Sequence, residues 1–155
     1  MSVFTIEKLS YIFVDALTEV ISKMAGLSLN LLSSEADNTF EENTGVMSLN
    51  GINQGMLFIS ARENTMRIIC SSMTGIPENE VKTTDIEDTL CELVNMTAGS
   101  AKLRTNNLEQ TYTITPPFIL NGNNLSIKTK KRINVISRIL GNEEVSLKLK
   151  VIFYT

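Results

Sequence analysis

The residues with the most chemistry to offer stand together in the stretch TTDIEDTLCELVNMTAGSAKLR. On a helical wheel of 100° per residue, Asp88, Glu92, Asn95, Gly99 and Lys102 share one side. Ile86, Leu90, Leu93, Val94, Thr97 and Ala101 share the other. Glu92 and Asn95 are i and i+3, hence neighbours on the surface, with Asp88 one turn before and Gly99 one turn after. A glycine within a helix costs about 1 kcal/mol against alanine, but on an exposed face it leaves room for close approach. The same pattern also describes the solvated face of a surface helix, and Asp88 with Glu87 suits the positive end of such a helix. The wheel alone leaves both readings open.

Other chemistry is missing from the sequence. There is no histidine, which removes His-based acid–base catalysis, phosphohistidine chemistry and His-ligated metal sites. Cys70 and Cys91 lack metal-site or redox-motif spacing, and a disulfide framework is not expected. No phosphate-binding Gly-x-x-x-x-Gly-Lys-Ser/Thr loop is present. A Cys-x5-Arg loop fails because Ile76 and Thr97 stand at that spacing from the two cysteines. An Asp-x-Asp nucleophile motif fails because Asp85 is followed by Ile86 and Glu87. The balance of 14 basic against 17 acidic residues, net −3, argues against a nucleic-acid partner. Lys-Thr-Lys-Lys-Arg at 128–132 is the one basic cluster and reads as a solvated turn.

The elements that must position these residues follow from periodicity. With 43% hydrophobic and 20% charged residues the chain should fold, and its 155 residues read as one domain, 1–155. Residues 5–25 read as a helix with Ile6, Leu9, Phe13, Leu17, Val20 and Met24 on one face and Gly26 as its stop. LSLNLLS at 27–33 reads as a strand, and SEADNTFEEN as a polar turn. TGVMSLNG and QGMLFIS read as a hairpin turning around Gly51-Ile52-Asn53. Ser60 with Glu63, and Thr84 with Glu87, have capping-box spacing. They predict a short helix ended by Gly75 and Pro77, and a long helix over about 85–106. TYTITPPFILNG gives one or two extended pieces broken by Pro116 and Pro117. Two strands close the chain, and the alternation in VSLKLKVIF predicts a wet face on the last. The expected class is α+β: an antiparallel sheet of about six strands with two long helices and one short helix packed on it.

Asp88-x-x-x-Glu92-x-x-Asn95, with Pro116-Pro117 about twenty residues further on, resembles the signature of the CheC/CheX/FliY phosphatases of bacterial chemotaxis. ELVNMTAGSAK has the shape of that family's motif helix, including Gly99 and Lys102. TITPPFILNG is similar to the family's serine/threonine–proline stretch, and the opening helix ending in Met24-Ala25-Gly26 fits as well. A second Glu-x-x-Asn is absent, so the chain resembles the single-motif, CheX-like branch of the family.

The resemblance implies a CheX/CheC-like fold and a phosphatase that hydrolyses the aspartyl phosphate of a CheY-type receiver domain. It implies that Asn95 positions the attacking water and that Glu92 docks the receiver's active-site Lys. Asp88, Gly99 and Lys102 become candidate partner contacts, although Asp88 also suits the helix dipole. The enzyme would bind no cofactor or metal of its own, because the Mg²⁺ comes with the receiver. A homodimer is implied. So is a competitor, a dimeric module of the same fold that binds a phosphorylated receiver without catalysis. The opening MSVFTIEKLSYIF has no signal-peptide character and no apolar run reaches the length of a membrane span, so a cytoplasmic protein is expected, with no membrane partner.

Overall fold

Among the residues described by the computed structural model (3–34, 37–51, 54–105, 111–129 and 133–154), three helices cover one face of a seven-stranded antiparallel sheet. Helix α1 spans Val3–Ala25, two residues longer at its start than periodicity suggests. It buries Leu9, Phe13, Leu17 and Ile21 completely, each contributing about 1.5–3 kcal/mol of transfer free energy. Gly26 ends it at φ 67°, its N–H returning to the Ser22 carbonyl. Met24 lies on the expected apolar side but is exposed.

The strands are β1 (Asn30–Ser33), β2 (Asn43–Gly51), β3 (Gly55–Ala61), β4 (Tyr112–Ile114), β5 (Phe118–Asn121), β6 (Ile133–Gly141) and β7 (Ser146–Tyr154). Their order across the sheet is β1-β6-β7-β3-β2-β4, with β5 also pairing β2. β2 and β3 form the expected hairpin, in register from Asn43↔Ala61 to Leu49↔Gly55. Ile52 and Asn53 of its expected turn lie outside the described residues, as do Lys130, Lys131 and Arg132 of the basic cluster and the last residue of the expected long helix, Asn106.

The sheet has seven strands rather than about six because its far edge is broken. Pro116 and Pro117 have no N–H to give the ladder. At that point the Thr115 hydroxyl substitutes, accepting from the Ser48 N–H at 3.2 Å and lying 3.4 Å from the Ser48 carbonyl. One extended segment therefore becomes β4 against the end of β2 and β5 against its start.

Helix α2 is Glu63–Thr74, ended by Gly75 at φ 79°. Ser60 does not cap it. The residue is in β3, and its hydroxyl accepts the Glu41 amide at 2.6 Å. Helix α3 spans Thr83–Thr105 and starts one residue before the expected box at Thr84. The Lys82 N–H is held by the Asp85 carboxylate at 2.8 Å, and Glu87 instead meets Asn121 of β5.

The inner face of the sheet, with Met47, Leu49, Leu57, Ile59, Leu147 and Leu149, packs on all three helices. The outer face is not wet as its alternation suggests. Phe40, Val46, Phe58 and Ile152 form a second small core there. Lys150, 3% exposed, donates to the Asp37 carbonyl at 2.8 Å beneath the Phe40 ring, and Lys148 pairs with Asp37 and Glu41. Residues 37–41 of the polar stretch read as a turn thus lie over β7, with the lysine stems beneath them.

Candidate functional site

Helix α3 carries every residue singled out from the sequence. Its inner side is fixed from four directions. Ile86, Leu90, Leu93, Val94, Thr97 and Ala101 are all buried, as the wheel requires. Beneath them Gly45 of β2 allows unusually close approach. A Cβ built there would lie 2.5 Å from Val94 Cγ2 and 3.0 Å from Leu90 Cγ. On the edge-strand side the buried Tyr112 hydroxyl donates to the Ala98 carbonyl at 2.9 Å, and its ring stacks on Phe13 with centroids 6.3 Å apart. Burial pushes the Tyr112 hydroxyl well above its ordinary pKa, so it stays a donor. At the N-terminal end Asn121 donates to Glu87 at 3.2 Å. Towards the C-terminal end Glu19 of α1 takes both Lys23, at 2.6 Å, and Arg104 of α3. The Lys23 hydrogen bond and charge, with Arg104, hold the Glu19 carboxyl below the usual carboxylate range.

The outer side is left open. Asp88, Glu92 and Asn95 are exposed, and Gly99 and Lys102 are half-buried. The structure brings the five into one stripe. The side chains of Asp88, Glu92 and Asn95 make no hydrogen bond or ion pair with other described residues, so their bonding capacity faces outwards. A Cβ at Gly99 would meet nothing within 4 Å, which confirms open space one turn beyond Asn95. Cys91 sits half-buried beside Glu92, and burial with the charges of Asp88 and Glu87 pushes its thiol up, away from the nucleophilic thiolate.

Charge is graded along this helix. Asp85, Asp88 and Glu92 occupy its first half, Asn95 and Gly99 its neutral middle, and Lys102 and Arg104 its last turn, an order that also suits the helix dipole. Among the described residues no three His, Cys, Asp or Glu side chains converge to hold a metal, and no helix is long and apolar enough to cross a membrane. A neutral amide on the exposed stripe can hold a water or a phosphoryl oxygen, and a carboxylate one turn away can pair with a cation. Neither has an enclosed cleft.

Sequence reading passes over Gly45, Tyr112, Glu19 and Arg104, which hold the helix. Their signals are faint: a glycine inside a strand pattern marks close backbone approach, and a tyrosine beside the proline pair supplies a hydroxyl to a neighbour.

Comparison with known proteins gives the class first. The model of the family described as chemotaxis phosphatase CheX matches residues 43–139. A CheX from Vibrio vulnificus superposes with a TM-score of 0.83 at 20% identity, covering 94% of this chain and 96% of that one. A Borrelia burgdorferi structure, of a CheX–CheY–BeF3–Mg²⁺ complex, superposes at 0.74 with 16% identity over 94% and 97%. These likenesses show the fold. The CheY-P phosphatase CheX of Thermotoga maritima is 28% identical over 79 residues, 51% of this chain and 50% of that protein, so the chain matches about half the length of this curated relative. The chain belongs to the CheX family of chemotaxis phosphatases, as a CheX-like member of the wider CheC/CheX/FliY group.

Proposed function

We propose that this protein is a phosphatase that hydrolyses the aspartyl phosphate of a CheY-type receiver domain in chemotaxis or related two-component signalling. The observation that carries the reading is Asn95: exposed, unbonded, and one turn from Glu92 on a helix clamped on its opposite side. An acyl phosphate is already reactive, so what its hydrolysis needs is a positioned water. Asn95 enters the receiver's site and holds that water in line with the phosphorus–oxygen bond to the aspartate. Water adds to phosphorus, the bond to the aspartyl carboxylate breaks, and inorganic phosphate and the free carboxylate result. A carboxylate at position 95 would be repelled by the phosphoryl oxygens, whereas the amide is neutral. Glu92 pairs with the receiver's active-site Lys and fixes the docking register. Asp88, Gly99 and Lys102 lie along the same contact stripe. The Mg²⁺ that neutralises the phosphoryl group belongs to the receiver substrate. In support, the curated relative is named for this activity and a CheX of the same fold has been solved with CheY.

The protein acts as a homodimer in the cytoplasm. β1 is an open sheet edge whose Leu31 and Leu32 are 48% and 55% exposed, the kind of edge that a second copy covers. Light scattering at micromolar concentration should give twice the 17.2 kDa chain mass, and a monomer would contradict this.

The test of activity is phosphate release from a phosphorylated CheY-type receiver, with wild type and Asn95→Ala. Acceleration by wild type alone supports the assignment. Binding of the phosphorylated receiver with no acceleration by either protein would replace it with a non-catalytic receiver-binding module.

A further inference from the structure

Beside Asn95 a shallow groove of about 460 Å³ runs between α1 and α3. It is lined by Val20 and Lys23 of α1, Met96, Gly99 and Leu103 of α3, and Ile114 of β4. Asn95, Gly99 and Leu103 follow one another at i+4 and form one row. Leu103 is therefore about 12 Å along the helix axis from Asn95, at 1.5 Å per residue. Leu103 is 74% exposed and Ile114 37%, in a row that continues directly from the polar stripe. Lys23 and Glu19 line the α1 side as an ion pair that Arg104 of α3 also joins.

We infer that this groove is the specificity-determining dock of the phosphatase, taking an apolar side chain that a phosphorylated receiver presents about two helical turns from its phosphoaspartate. The inference rests on the reading of Glu92 and Asn95 above and extends it to the far half of the helix and to α1. The charge gradient chooses the occupant. A receiver that places a lysine on Glu92 and its phosphoryl group on Asn95 lies in one direction only. The surface it then brings over Leu103 is the one beyond the phosphoryl group. Partial burial of one large apolar side chain in an open groove is enough to rank one receiver over another by about tenfold.

The decisive experiment is steady-state phosphate release against receiver concentration for wild type, Leu103→Asp and Leu103→Met. The exposed Leu103 lets each variant fold, which circular dichroism checks. Leu103→Asp should raise KM by about tenfold or more with kcat within about twofold, and Leu103→Met should keep KM near wild type. Tyr11→Asp, at a 61% exposed site on α1 outside the groove, should leave KM unchanged. An unchanged KM in Leu103→Asp, or a fall in kcat alone, overturns the inference. Should Asn95→Ala keep full kcat, the catalytic reading fails separately. The affinity of each variant for receiver loaded with BeF3 and Mg²⁺ then reports on the groove without any turnover, with the same loss expected in Leu103→Asp and retention of wild-type affinity overturning it.

Discussion

Gly45→Ala places one methyl group where helix α3 meets the sheet. The new Cβ would lie 2.5 Å from Val94 Cγ2, roughly 1 Å inside ordinary van der Waals contact, with Leu90 Cγ at 3.0 Å and the Leu90 carbonyl at 3.3 Å. Val94 cannot swing aside at low cost, because a β-branched side chain in a helix has one strongly preferred rotamer. The helix itself must lift, by up to about 1 Å, and overpacking of this kind costs about 1–3 kcal/mol. A lift of that size displaces Asn95 by a comparable amount, and a misplacement of about 1 Å can lower the rate by about 100-fold. Urea unfolding reads the first quantity and phosphate release from the phosphorylated receiver the second. Val94→Ala removes the methyl group in conflict, so the double variant Gly45→Ala/Val94→Ala should be more stable than the sum of the single losses by about 1 kcal/mol or more. Strict additivity, or a Gly45→Ala protein as stable as wild type, would refute the reasoning that this glycine sets the height of the helix.

Other expectations follow from the same contacts. Tyr112→Phe removes the hydroxyl that holds the Ala98 carbonyl and should cost about 0.5–1.5 kcal/mol by chemical unfolding; no loss would mean the bond does not hold α3. Asp37, bonded by Thr39 and facing Lys148, has its carboxyl lowered from 3.8 to about 2. Because the folded value lies below the unfolded one, its contribution is present above 3.8 and lost as pH falls towards about 2. Asp37→Asn should flatten stability against pH in that window, by a small amount because the side chain is 65% exposed. Replacing Leu31 and Leu32 with lysine at the β1 edge should shift light scattering from dimer to monomer, and a persistent dimer would place the interface elsewhere.

The two faces of α3 were legible because a 3.6-residue period needs only residue type: each apolar position on the wheel is buried, and Asp88, Glu92 and Asn95 are exposed. Where two local signals competed, tertiary pairing decided. Ser60 has the spacing of a helix cap, yet its place opposite Thr44 in the β2–β3 ladder holds it in a strand. Lys148 and Lys150 alternate as a solvated face should, but a single aromatic, Phe40, in an otherwise polar stretch folds that stretch over them. The clamps on α3 were illegible for a different reason. Glu19 with Arg104, and Tyr112 with Ala98, join residues far apart in sequence, and no local period encodes such meetings.

Asn95 is central to the proposed chemistry, and one comparison tests it most directly: the rate of phosphate loss from a phosphorylated CheY-type receiver with wild type and with Asn95→Ala. Asn95 is exposed, so the variant should keep its melting temperature and its binding to the receiver. The expected result is acceleration by wild type and a fall of about 100-fold or more in the variant, the scale of losing a positioned group. A variant that hydrolyses the phosphoreceiver at the wild-type rate would contradict the role assigned to Asn95.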